Sequence, residues 1–462
     1  MFRFFGLILM LVWHYCFWFA PEIFVHTPLL DDAITFAWLI NLGSSSLTML
    51  LAPLALRNKR YLTSHRAIGI VCPLVLSSGT LYLALFSSAF DNMFTAGSVS
   101  LVLGVCFGVL WIYCGEYHIK HHESFDISRV ALFFGLTLLA SLLLVTYLPS
   151  PLNPIFVSIL PLIIGVTLLL PRKKVSKPSF PLLLPAKKQY DVLRTVIKVC
   201  IMTLGISIAC YYLLAIIPWE LLPFKEKSFT WGVVAGALAM LVLALSAVFM
   251  CNRSAIYRLF PALVALLIVA FALFLADQRY DYAAFLIAVG VASILELLLT
   301  AYFGLLTNKG FIAPALAFGM SAGSVRLGFV LGNMLAVLYE HHLELALLLT
   351  VPTSLAFVLL LLALLVALVR QEYSIAALTS APPSESTLVT ICIDVAQEFS
   401  LSAREGEILH LMAQGYTSNA IAEKLYISPY TVNTHIRHIY EKMNINKKSE
   451  LLNYVNLQRG HL

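Results

Sequence analysis

Twelve stretches of mostly apolar residues, each close to the ~20 needed to cross a bilayer as a helix, fill the chain up to about residue 370. They lie at roughly 4–20, 33–56, 67–89, 96–114, 130–148, 154–170, 195–217, 229–251, 259–276, 282–305, 311–338 and 345–369. So many membrane-length runs cannot fold around one water-washed core. Charged residues make up 12% of the chain, about half the share of an ordinary soluble protein. An all-α, polytopic bundle embedded in the lipid bilayer is therefore predicted. The first run, Phe4 to Ala20, follows a lone Arg3 and has no small-residue exit site, so it is expected to stay as a helix.

Alternate connections share a sign. Arg3, then Arg57, Lys59, Arg60 and Arg66, then Lys120 and Arg129, then Arg172, Lys173, Lys174, Lys177, Lys187, Lys188 and Arg194, then Arg253 and Arg258, then Lys309 fall on one side. The other side holds Lys225, Lys227 and Arg279 among ten acidic residues. Positive charge collects in cytoplasmic loops, so both termini are expected in the cytoplasm of a multi-pass cell-membrane protein. The same bias explains much of the net charge of +6.

The longest connection, Pro171 to Arg194, is basic and Pro-rich and divides the runs into two sets of six. That 6+6, transporter-like layout resembles the major facilitator superfamily, whose halves are parallel repeats. Where that family carries a glycine-and-aspartate signature, this chain reads LAPLALRNKRYL, with the basic residues and no acid.

Beyond Arg370 the composition changes. Residues 371–400 contain Pro, Ser and Glu in place of Leu-rich runs, and are expected to be a cytoplasmic linker with a short lead-in helix in VTICIDVAQEF. From Leu401 the punctuation is dense. Ser402 and Glu405 form a capping box, with Ile408, Leu409 and Met412 as the apolar stripe behind it and Gly415 as the left-handed stop. Thr417 caps a second helix carrying Ile421 and Leu425. Ser428 caps a third, with Pro429 at its first position. In that third helix Val432, Ile436, Ile439 and Met443 make a core stripe, while Tyr430, Asn433, Thr434, Arg437 and Glu441 share the opposite face. A fourth pattern after Asn446, with Leu451, Leu452 and Val455, closes the bundle and offers an apolar surface to a second copy.

The residues LSAREGEILHLMAQGYTSNAIAEKLYISPYTVNTHIRHIYEKMNI resemble the LuxR-type (GerE-like) helix-turn-helix domain in the order and spacing of its L-S-x-R-E-x-E-[IV]-L, A-x-G, I-A-x-x-L-x-I-S and T-V-x-x-H-[IV] elements. The resemblance implies a four-helix domain over 401–462 that binds double-stranded DNA as a homodimer, its third helix in the major groove. Asn433, Thr434 and Arg437 would take the base-reading positions. Thr417, Thr431, Lys442, Lys447 and Lys448 would take phosphates, and Leu451, Leu452 and Val455 would pair the two copies. Asn can grip adenine, Arg guanine, and a Thr methyl can pack on thymine. Asn433 stands for a frequent Lys, Ala420 for a usual Glu, and Lys447 for a usual hydroxyl cap, which leaves Asn446 as the cap.

Residues 1–370 are then the membrane sensor. Glu296 and Arg326 are the costliest residues within its runs and are expected to pair across the tenth and eleventh helices, either as a structural ion pair or as the seat of a small-molecule ligand. Pro314 and glycines 319, 323, 328 and 332 allow close helix packing, the favoured reading, or a broken helix lining a cavity. The eight cysteines show no metal spacing, and His118, His121 and His122 have no second cluster to complete a site. No Walker A, GxGxxG, HExxH or GxSxG pattern occurs, so neither catalysis nor a cofactor is expected. The predicted function is a membrane-bound transcriptional regulator responding to a small molecule or envelope signal. The alternative is a secondary transporter with an appended regulatory DNA-binding domain.

Overall fold

Each apolar run becomes a helix. The computed structural model describes residues 5–18, 20, 23–24, 31–56, 61–86, 93–120, 127–169, 186–217, 228–249, 259–308, 312–379 and 385–459. Arg3, Arg57, Lys59, Arg60, His121, His122, the basic residues of 172–177, Arg253, Arg258 and Lys309 lie outside them. Two units result, Met1–Thr379 and Ser380–Leu462.

The first unit contains α1 (Phe5–Trp18), α2 (Asp31–Ala55), α3 (Ile68–Leu85), α4 (Met93–Lys120), α5 (Ile127–Tyr147), α6 (Leu152–Leu169), α7 (Ala186–Ile216), α8 (Ser228–Phe249), α9 (Leu259–Ala276), α10 (Asp281–Asn308), α11 (Pro314–Glu340) and α12 (Leu343–Thr379). Among the described residues, ten helices are long and apolar enough to cross a membrane, and Phe5–Trp18 and Thr230–Val242 are shorter apolar stretches. α4, α7 and α12 outrun their apolar runs, α4 by continuing to Lys120. α7 begins at Ala186, directly after Pro185, and α12 continues to Thr379, just short of Pro382. Nothing between residues 371 and 379 breaks a helix, so the backbone keeps its hydrogen bonds after the grease ends.

The packing repeats. α1 against α5, α2 against α4, α3 against α4 and α6, and α1 against α6 recur six helices later as α7 against α11, α8 against α10, α9 against α10 and α12, and α7 against α12. Adding six also exchanges the two large contacts between the halves, α2 with α11 and α5 with α8. Such an arrangement is what parallel repeats produce.

Glycine makes the closest approaches. A Cβ at Gly328 would lie 2.5 Å from Ser207 Cβ, and one at Gly332 would lie 2.8 Å from Tyr212 N, so α11 and α7 meet backbone to backbone. On the other side of α11, Ser46 Oγ donates to Gly323 O at 2.9 Å, and Asn41 Nδ2 of α2 donates to Ser100 O at 3.3 Å. Half of the polar patch of α2, Asn41 and Ser46, thus ties helices together, while Ser44 and Ser45 donate to carbonyls of α2 itself. Every residue of α1 except Phe5 is buried, which is where a helix apolar all round belongs. Along α12, Leu347, Leu348 and Leu359 are outward and exposed, as acyl chains require.

The second unit contains α13 (Glu385–Glu398), α14 (Ala403–Ala413), α15 (Ser418–Leu425), α16 (Pro429–Met443) and α17 (Lys448–Arg459). Its core is its own. Ile408, Leu409, Met412, Ile421, Val432, Ile439 and Met443 are buried together with Cys392 and Val395 of α13 and Leu451 and Val455 of α17. The stretch expected as a linker is therefore helical at both ends, and its second helix packs on α14 and α17.

Candidate nucleic-acid interface and the buried ion pair

Local chemistry fixes the three helices that build the interface. Ser402 Oγ accepts from Glu405 N while Glu405 Oε2 accepts from Ser402 N at 2.7 Å, completing the capping box. Gly415 turns the chain at φ 96°. Thr417 and Ser428 accept from Ala420 N and Thr431 N to open α15 and α16, with Pro429 at the start of α16. Tyr426 (φ 54°) and Asn444 (φ 51°) end those helices in the left-handed region.

Arg404 ties the pieces together: Nη2 donates to Leu425 O at 3.0 Å, satisfying the end of α15, and Nη1 meets Glu407 at 2.6 Å. Its role is visible only once α14 and α15 are folded together. Lys442 does the same for α16. Its Nζ lies 2.7 Å from Glu405 Oε2 and 3.1 Å from Ser400 O. The Lys442 hydrogen bond, helped by Ser402, pushes the Glu405 carboxyl down to about 2 despite its burial. Glu405, His435 and His438 come close enough to share a cation. The Glu405 carboxylate already holds an ammonium, so this cluster works as a staple between α14 and α16.

Outward from that staple, Asn433 and Arg437 are exposed on α16 and Thr434 is half-buried. Thr434 Oγ1 donates back to Tyr430 O at 3.0 Å, so its methyl is what it offers outward. Arg437 has a loose, exposed partner in Glu441, 3.6 Å away. Tyr430, 82% exposed, extends the same stripe toward the helix start. Of the expected phosphate contacts, Thr417 and Lys447 are exposed and Thr431 shares a hydrogen bond with Ser428 Oγ at 2.8 Å. Lys442 is bonded internally as described, and Lys448 Nζ donates to Tyr416 O at 2.7 Å. Of the expected pairing residues, Leu451 and Val455 lie in the unit's own core and Leu452 is half-buried. The lead-in helix accounts for that: Phe399 and Tyr454 meet edge to face at 5.3 Å, and Tyr454 OH donates to Glu398 at 2.6 Å.

The profile described as "Bacterial regulatory proteins, luxR family" matches residues 399–455. The C-terminal unit carries a LuxR-family DNA-binding domain. Over 54 residues this domain is 52% identical to the oxygen regulatory protein NreC of Staphylococcus carnosus and 50% identical to that of Staphylococcus aureus. Each match takes in 12% of this chain and 25% of the relative, so the chain spans a quarter of the curated relatives it matches. The LuxR-family domain is joined to a helical membrane bundle whose fold resembles that of a solved transporter. The human organic anion transporter MFSD10 (TETRAN) superimposes with a TM-score of 0.50 at 15% identity, covering 79% of this chain and 97% of that one. At that identity the likeness concerns the fold alone.

Inside the bundle Arg326 of α11 is fully buried and Glu296 of α10 is 2% exposed, with Nη2 and Oε1 3.1 Å apart. The guanidinium also lies over the Phe107 ring of α4, 4.3 Å from its centroid. Among the described residues its Nε and Nη1 have no hydrogen-bond partner. The pair expected from sequence is therefore present, and Phe107 is a neighbour that no local pattern announces.

Proposed function

We propose that this protein is a membrane-bound transcriptional regulator whose bundle senses a small molecule or envelope signal and whose C-terminal unit binds promoter DNA as a homodimer. The single observation that supports it most is the outward stripe of α16, Asn433, Thr434 and Arg437, held rigid by three caps within a LuxR-family domain. Asn433 and Arg437 would grip base edges, with Thr417, Thr431 and Lys447 toward phosphates; Lys442 would have to leave Glu405, and Lys448 the Tyr416 carbonyl, to join them. Domain limits of 1–370, 371–400 and 401–462, and both termini in the cytoplasm, belong to the same proposal and rest on the composition change and the basic bias of alternate connections.

A ligand would act by population shift, binding two bundle conformations unequally. The Glu296–Arg326 pair is its proposed seat: it lies where α4, α10 and α11 meet, and the arginine keeps donors that an anionic group would satisfy. α12 reaches Thr379 as a helix, and five residues of chain separate it from α13, which gives a short covalent path to the DNA-binding unit.

Footprinting of the intact protein across the genome tests the reading. Discrete sites with half-sites about one DNA turn apart, ~10–10.5 bp, are expected, with occupancy responding to a metabolite of the neighbouring genes. Binding to scrambled DNA as tight as to any genomic site would overturn it. The transporter alternative is separated by solute uptake into proteoliposomes above a protein-free control.

A further inference from the structure

We propose that the cytoplasmic-side end of α7 holds the headgroup of an anionic phospholipid between Arg194 and Lys198. These two cations are four residues apart on one helix face, and both are exposed. Among the described residues neither has an ion pair or a hydrogen bond. With Leu193 and Ile197 they line a shallow recess of about 160 Å³. The same side of the helix continues through Ile201, which is 61% exposed. From Leu193 to Ile201 this stripe is exposed, so its isoleucines meet acyl chains and its two cations face the headgroup layer.

Depth identifies their partner. Counting back 20 residues from Ile216, the end of α7, at 1.5 Å each reaches the edge of a ~30 Å hydrocarbon layer near Ile197. Lys198 therefore sits at the boundary and Arg194 about one turn outside it. A lysine there extends its amine to the headgroup level while its stem stays in the apolar layer, and an arginine one turn out can fork onto a phosphate.

A third cation shares the level. Gly205, further along the same stripe, meets Leu364 and Leu360 of α12. From there Lys198 lies about 10 Å and Arg194 about 16 Å along α7, and Arg370 about 12 Å along the oppositely directed α12. Arg370 is also exposed and, among the described residues, unpaired. It closes the apolar part of the helix that leads out to Thr379. Bound lipid would thus sit beside the root of the segment joining the bundle to the DNA-binding unit.

The test uses full-length protein in nanodiscs of mixed phosphatidylglycerol and phosphatidylcholine, with tightly retained lipid identified by native mass spectrometry. Wild type is expected to retain phosphatidylglycerol roughly tenfold over its bulk share, and Arg194→Gln/Lys198→Gln to retain none of that excess. The swap Arg194→Lys/Lys198→Arg should keep it, and Arg66→Gln, an exposed cation elsewhere, should leave it unchanged. An unaltered excess in the double glutamine variant, or an equal loss in Arg66→Gln, overturns the proposal. Displacement of the lipid by millimolar inorganic phosphate would also overturn it, by showing a plain phosphate site.

Discussion

The buried carboxylates of Glu296 and Glu405 both hold cations, and they do so under opposite conditions. Glu296 and Arg326 meet with both side chains sealed from solvent, at 2% and 0% exposure. Glu405 is 6% exposed, but its partner Lys442 is 39% exposed and reached by water. In the bundle each charge depends on the other, because apart from the Phe107 ring under the guanidinium the surroundings are a poor substitute for water. In the DNA-binding unit the lysine can retreat into water, and the carboxylate keeps the Ser402 amide as a second donor. The first pair is a condition for the bundle to close and the second is a staple that adjusts a small domain.

Glu296 is the most sensitive position of the two pairs. Glu296→Gln leaves Arg326 charged and buried, and should cost about 3–5 kcal/mol, read as the melting temperature of the purified full-length protein. Adding Arg326→Gln should recover most of that loss. A single variant that melts like wild type would mean that water already reaches the site. The next largest effect concerns the glycines. Gly332→Ala pushes a methyl against the α7 backbone and should cost about 1–3 kcal/mol. Gly290→Ala in α10 has nothing within 4 Å of its new Cβ and should be neutral or slightly stabilising. Arg437→Ala should lose about 1–3 kcal/mol of preference at one base pair, measured by competition between single-base variants of a bound site, with the melting temperature unchanged.

What was legible in the chain follows the same division. The spans could be read because hydrocarbon thickness imposes a length, and the caps of α14, α15 and α16 could be read because each is an exchange between residues three apart. Glu296 and Arg326 stood out because a charge inside an apolar run is expensive wherever it lands. Phe107 did not, since its place over Arg326 depends on α4 packing against α11. Lys442 reads as a free cation at the end of α16, and only the fold brings Glu405, 37 residues away in sequence, to its ammonium. Leu451 and Val455 read as closing the bundle and offering a surface to a second copy, and only the fold shows α13, with Cys392 and Val395, sharing their core. Patterns of period 3.6 show that a helix has an apolar face, and tertiary structure decides what covers it.

Acid sharpens the contrast further. The Glu405 carboxyl is held at about 2 in the folded unit against an ordinary value of 4.5, so its stabilising contribution is complete above pH 4.5. It declines as pH falls through that window toward 2, where the carboxylate takes up its proton and releases Lys442. Urea midpoints of the Ser380–Leu462 unit, which has its own core, should therefore fall between pH 5 and pH 3, and the part due to this group should vanish in Glu405→Gln. An identical pH profile in both proteins would place the Lys442 ammonium elsewhere in solution.

The smallest expected effect separates a free lysine from a committed one. Lys447 is exposed and has no side-chain bond among the described residues, so Lys447→Ala should reduce the slope of log affinity against log salt by about 0.9, as loss of one phosphate contact does, while base preference and stability stay put. Lys442 looks equivalent in sequence, but its ammonium is spent on Glu405 and Ser400. Lys442→Ala should lower the urea midpoint and leave the salt slope alone. If Lys442→Ala flattens the salt dependence as much as Lys447→Ala, the ammonium changes partner when DNA arrives, and the staple between α14 and α16 opens on binding.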